Sequence, residues 1–124
     1  MSQPPVIVVS AEPIPRAELA RLVRAHFGDM VKLVADLRRG LVAVGGELHA
    51  DGEALLLERG SNQDDIWGAN YHPGRGPGAC LEYTSLINIR PALGNRSMVV
   101  EDAARRERIR ELVSRVLGEG EELD

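Results

Sequence analysis

The spacing of hydrophobic residues along the 124-residue chain changes period several times, and each change marks an element. Val6-Ile7-Val8-Val9 is an unbroken β-branched run between Pro5 and Ser10, the pattern of a short strand buried on both faces. From Pro15 the period becomes helical: Leu19, Leu22, Val23, His26 and Phe27 recur at three- and four-residue spacing, and Gly28 supplies a left-handed stop. Val31 to Val44 reads as two strands joined at Arg38-Arg39-Gly40. Counting outward from that turn sets Leu33, Ala35, Leu37, Leu41 and Ala43 on one face and Val34, Asp36, Val42 and Val44 on the other. Both sets are mainly apolar, as in central strands.

Gly45-Gly46 breaks this run. Asp51 then predicts the cap of a short helix over Glu53-Ala54-Leu55-Leu56-Leu57-Glu58-Arg59, closed by Gly60. A polar loop, Ser61 to Asp65, leads to a strand over Ile66 to His72 with Gly68 as its weak point. The Pro/Gly-rich turn from His72 to Gly78 precedes a return strand, Leu81 to Ile89. In that strand Tyr83, Ser85, Ile87 and Ile89 share one face, and Glu82, Thr84, Leu86 and Asn88 the other. Pro91 to Ser97 is a loop. Asp102 caps a last helix whose Ile109, Leu112, Val113, Val116 and Leu117 form one apolar face, and Gly118 ends it. The order predicts one α+β domain over residues 6–118, between a flexible tail at 1–5 and a frayed acidic tail at 119–124. Its mainly antiparallel sheet has about five strands, with two longer helices and one short helix packed largely on one face.

Composition narrows the partners. Aromatic residues make up only 3% of the chain, too few for a base-stacking platform, and the net charge of −4 opposes general attraction to nucleic acid or anionic membranes. No apolar run is long enough to span a bilayer, and a soluble, cytoplasmic, unexported protein is expected. Cys80 is the sole cysteine, so neither an internal disulfide nor a multi-cysteine zinc site forms. Lys32 is the only lysine, every other basic charge being an arginine fork suited to carboxylates and phosphates.

Six blocks carry a family resemblance: Gly45-Gly46-Glu47-Leu48-His49-Ala50-Asp51, Glu53 to Glu58, Asp65-Ile66-Trp67-Gly68, Ile87-Asn88-Ile89-Arg90-Pro91, Gly94-Asn95-Arg96-Ser97 and Val100-Glu101-Asp102. Together they resemble a family of small uncharacterised prokaryotic proteins that forms a domain of unknown function. The likeness runs from about Met30 to the last helix. It implies a shared fold and brings no reaction, cofactor or partner.

Two clusters carry candidate chemistry. On an extended segment Glu47, His49 and Asp51 point to the same side, where they suit a divalent cation or let a carboxylate orient His49 as a general base. The plainer alternative makes Asp51 a helix cap, Glu47 an arginine partner and His49 a structural hydrogen-bonding group. Asn88, Arg90, Asn95 and Arg96 supply the amides and guanidinium forks of an anion cradle near the start of the last helix. Their plainer role is internal, with Arg90 and Arg96 clamping Glu47, Asp51 or Glu101. Trp67 and Tyr71 share a strand face, as core or pocket lining. The favoured function is binding of an anionic small molecule between segments 45–51 and 88–97, through Asp51, Asn88, Arg90, Asn95 and Arg96. One alternative is a hydrolase-like enzyme with His49 as base assisted by Glu47. The other is a structural or regulatory module that forms a homodimer. No motif identifies a cofactor or a metal site.

Overall fold

The computed structural model describes residues 6–123. Five strands, β1 (Ile7–Ser10), β2 (Val31–Asp36), β3 (Leu41–Gly45), β4 (Ile66–Tyr71) and β5 (Leu81–Glu82), form one antiparallel sheet in the order β1-β3-β2-β4-β5. The helices are α1 (Arg16–His26), α2 (His49–Glu58) and α3 (Ala103–Val116). The α+β class and antiparallel sheet agree with the sequence reading. No helix among the described residues is long and apolar enough to cross a membrane.

The sheet carries different partners on its two faces. Leu33, Ala35, Val42, Val44, Trp67, Ala69 and Tyr71 pack against Leu19, Leu22 and Val23 of α1 and Ile109, Val113 and Val116 of α3. The two longer helices thus share one face with the apolar stripes expected from the spacing, except that Phe27, at the end of α1, is exposed. On the other face Val34, Ala43 and Ile66 pack with Leu56 of the short helix α2, supported by Ile87. Trp67 and Tyr71, on one strand face as expected, belong to the α1/α3 core.

Several local expectations need correction. The register pairs Asp36 with Leu41, leaving a four-residue loop, so Leu33 and Ala35 share their face with Val44 and Val42 rather than with Ala43 and Leu41. The buried Asp36 holds that loop open: its Oδ1 accepts the backbone N–H groups of Arg38 (3.0 Å) and Arg39 (2.9 Å), and its Oδ2 accepts the Ser61 hydroxyl at 2.6 Å. β1 is an edge strand, only half-buried. The acidic tail is tied down through Leu123 rather than frayed. Gly120 N donates to the Tyr71 hydroxyl at 2.8 Å, and its carbonyl accepts from Gly74 and Gly76.

The largest departure concerns the return strand. Only Leu81–Glu82 pairs with β4, and the chain then lifts into a 3-10 turn over Leu86–Asn88. A side chain completes the ladder in its place. Buried Asn88 accepts the Gly68 N–H on Oδ1 at 2.8 Å and donates from Nδ2 to the Gly68 carbonyl at 2.9 Å. Gly68 permits this approach, because a Cβ there would lie 2.7 Å from the Ser85 Cβ and 3.1 Å from Ile87 Cγ1. The residue that looked like a weakness in the strand is the point of closest contact on it.

Candidate functional site

On the α2 face of the sheet a polar row crosses three strands. Lys32 of β2 is the direct partner of Asn70 of β4, and Asn70 of Glu82 of β5. Above this row the first turn of α2 and the Thr84–Ile87 segment enclose a cavity of about 390 Å3, lined by Lys32, His49, Asn70, Thr84 and Ser85 with Leu48, Leu86 and Ile87 at its apolar side. Leu48 and Leu86 are exposed there, at 60% and 74%.

Local folding explains how His49 reaches this place. α2 starts at His49, with Leu48 as its N-cap, rather than beyond Asp51, so Glu47, His49 and Asp51 do not lie on one extended segment. Gly52 lies inside the helix against β2, where a Cβ would come within 3.0 Å of Val34 Cγ2. This close seating turns the first helical residue into the sheet. His49 Nε2 is 2.8 Å from the Ala69 carbonyl. A carbonyl only accepts, so Nε2 carries the proton and Nδ1 keeps its lone pair.

Burial pushes the His49 imidazole below its ordinary value and the Lys32 charge adds to this, while the Ala69 carbonyl and the Asn70 amide oppose it. The unfolded chain therefore protonates this residue more readily than the folded one. Above the ordinary pKa of 6.5 both states are neutral and His49 contributes no pH dependence. As pH falls below that value, stability drops by up to about 1.4 kcal/mol per unit until the folded imidazole also titrates. Urea unfolding of the native protein and of His49→Gln, compared at pH 7 and pH 5, is expected to show an acid loss in the native protein that the variant partly lacks; equal losses would refute it.

The remaining polar groups of the row differ in how they are paired. Glu82 is held below the usual carboxylate range by a hydrogen bond from His72, with the Asn70 amide acting in the same direction. Lys32 has no ion-pair partner among the described residues; its Nζ lies 5.4 Å from the centre of the Phe27 ring. Asn70 Oδ1 is buried without a hydrogen-bond partner, the only such side-chain atom among the described residues. Buried acceptors without donors are costly.

The residues predicted from sequence fall into two groups. His49 faces the cavity, but Glu47 is exposed, and its nearest basic partner is His26 at 3.9 Å. No three His, Cys, Asp or Glu side chains among the described residues converge as a metal site. Asp51 lies in the first turn of α2. Asn88 and Asn95 are fully buried and spend their amides on backbone. Asn95 Nδ2 donates to the carbonyls of Asn88, Ser97 and Val99, and its Oδ1 accepts from Glu101 N. Arg90 donates to the Gln63 and Ile66 carbonyls and pairs with Glu53 at 3.1 Å. Arg96 is exposed; its backbone N–H donates to Glu101. The cavity brings Leu48, His49 and Ala50 beside Thr84–Ile87 rather than beside the 88–97 segment, which reaches α2 through the Arg90–Glu53 pair, beyond segment 45–51.

Sequence reasoning missed Lys32, Asn70, Thr84 and Ser85. The available signal was a lone lysine in an apolar strand, Val31-Lys32-Leu33-Val34, and an asparagine opposite it. Its meaning depended on the pairing register of β2 and β4.

The chain belongs to a family described as "Protein of unknown function (DUF5674)", whose model matches residues 7–116. No curated protein and no solved structure matches the chain.

Proposed function

We propose that this member of a family of unknown function binds a small anionic molecule between the first turn of α2 and the Thr84–Ile87 segment. The observation that carries the reading is a cavity of about 390 Å3 with Lys32, which has no ion-pair partner among the described residues, in its lining. Lys32 is the cation that meets the ligand's charge. With its tautomer set by Ala69, His49 stays uncharged near neutral pH and adds a hydrogen-bonding atom rather than a second charge. Leu48, Leu86 and Ile87 offer apolar surface to the rest of the molecule. The site keeps His49 from the expected 45–51 segment, but its opposite wall is 84–87, and Asn88 and Arg90 act as supports behind that wall.

A thermal-shift screen with phosphates, nucleotides and carboxylates tests this directly. A ligand at about 100 times its Kd adds roughly 2.7 kcal/mol, a shift of several degrees for a domain of this size. Lys32→Met is expected to weaken any responding anion by about 10- to 100-fold, the worth of one charge-assisted hydrogen bond. No response across the panel, or responses that survive Lys32→Met, would remove the basis of the reading.

A further inference from the structure

His49 lines the cavity with one ring nitrogen already committed. Its Nε2 donates to the Ala69 carbonyl at 2.8 Å, which fixes the proton of the neutral ring on that side. Nδ1 has no hydrogen-bond partner among the described residues, yet it is not a buried atom, since Asn70 Oδ1 is the only buried side-chain nitrogen or oxygen there without a partner. It is therefore open to solvent, through the cavity that His49 lines. The other tautomer would turn a bare Nε2 lone pair against the Ala69 carbonyl oxygen, so the neutral ring offers the cavity an acceptor and not an N–H. An anion that reaches this wall meets lone pair with lone pair. A proton on Nδ1 reverses that contact and breaks no existing bond, because the imidazolium keeps its Nε2–H on Ala69.

Resting on the reading of the cavity as an anion site, we propose that the anion is taken up together with a proton, which passes from solvent to Nδ1 of His49, so that affinity strengthens as the pH falls. The charges around the imidazole set this direction. Lys32 of β2 is the cation that acts on it, and together with burial it holds the ring neutral in the free protein. The carboxylates on neighbouring elements are engaged or lie elsewhere. Glu82 of β5 is hydrogen-bonded by His72, Glu53 of α2 pairs with Arg90, and Glu47 is exposed with His26 at 3.9 Å. Asp51, in the first turn of α2, does not line the cavity, and the Thr84–Ile87 wall carries hydroxyls and apolar groups but no charge. An anion in the cavity is thus the group able to balance a charged His49. By reciprocity, a proton on His49 strengthens the hold on the anion to the same extent.

Calorimetric titration of the full chain with 1-butanesulfonate and with inorganic sulfate decides the point, because both stay fully ionised between pH 5 and pH 8 and any pH dependence then belongs to the protein. Affinity is expected to be about 10-fold higher at pH 5 than at pH 8, the lower end of what one charge-assisted hydrogen bond is worth. At pH 6, titrations in two buffers of different ionisation heat are expected to show proton uptake on binding. The His49 ring C–H resonance is expected to titrate at higher pH with the anion than without it. His49→Gln is expected to flatten the affinity profile; the resonance carries the test if that variant does not fold. Equal affinity at pH 5 and pH 8 without proton uptake overturns this inference and leaves anion binding standing. A profile that persists in the folded His49 variant, or a His49 resonance that the anion does not move, overturns the assignment of the proton to His49. Silence from both anions at both pH values overturns the anion reading together with this one.

Discussion

Arg90→Met is expected to lower the unfolding free energy by about 3 kcal/mol, among the largest losses from any single polar side chain in this fold. Side chains of Arg90 and Glu53 are only 10% and 17% exposed, so removing the guanidinium leaves a carboxylate largely cut off from water. The same group ties the Gln63 and Ile66 carbonyls to the 88–97 segment and lies 5.1 Å from the Trp67 ring, whose other neighbour is Arg105 at 4.1 Å. Burial pulls the Arg90 pKa down and Glu53 pushes it back, the expected balance for a cation kept inside by its partner. Methionine preserves much of the volume, so the loss reports mainly on the charge and its hydrogen bonds. Urea denaturation should show a lower midpoint with an unchanged slope. Glu53→Leu combined with Arg90→Met should recover part of the loss, because the stranded carboxylate is then gone. A loss below about 1 kcal/mol would mean that the pair is not structural and would return Arg90 to the list of ligand-binding candidates.

Much of the fold was legible because apolar spacing records burial directly. The stripes of α1 and α3 and the strand cores of β2, β3 and β4 are visible in the periods of Leu19 to Val23, Ile109 to Leu117 and Val31 to Val44. What failed depended on side-chain bonding that has no period. Asp36 fixes a four-residue loop by accepting two backbone N–H groups, and one residue of difference in that loop exchanges the faces of β3. Capping preferences favoured Asp51 as the start of α2, but tight packing of Gly52 on Val34 outweighs them and begins the helix at His49. Residues Leu81 to Ile89 alternate well enough for a strand, yet Asn88 provides the pairing that a strand backbone would have provided.

The candidate site was legible only in part for the same reason. His49 was conspicuous as a titratable residue after two glycines. Lys32 and Asn70 acquire significance only when the β2–β4 register places them opposite each other. Conversely, Asn88, Arg90 and Asn95 have the chemistry of an anion cradle, and the contacts that occupy them come from residues as remote in sequence as Glu53 and Gly68. Residue type identified groups capable of binding; burial and bonding decide which of them are free to do so.

Asn88→Ala should destabilise the protein by about 3 kcal/mol, and it tests how the cavity wall is held. The substitution strands the Gly68 N–H and carbonyl, both buried in the sheet, and removes a 3.1 Å bond to the Met98 carbonyl. Each buried group left without a partner costs about 1–3 kcal/mol, offset in part by any water entering the space. Asn88→Asp should be damaging as well: it retains an acceptor for the Gly68 N–H but has no N–H for the Gly68 and Met98 carbonyls. Hydrogen exchange gives a local readout, since the Gly68 amide should lose protection more than those of Val34 or Ala69. Asn88 lies beneath the Thr84–Ile87 wall without lining the cavity, so affinity for any anion bound there should fall through loosening of that wall. A stable Asn88→Ala protein with a protected Gly68 amide would show that the side chain does not complete the ladder, and that the wall is anchored elsewhere.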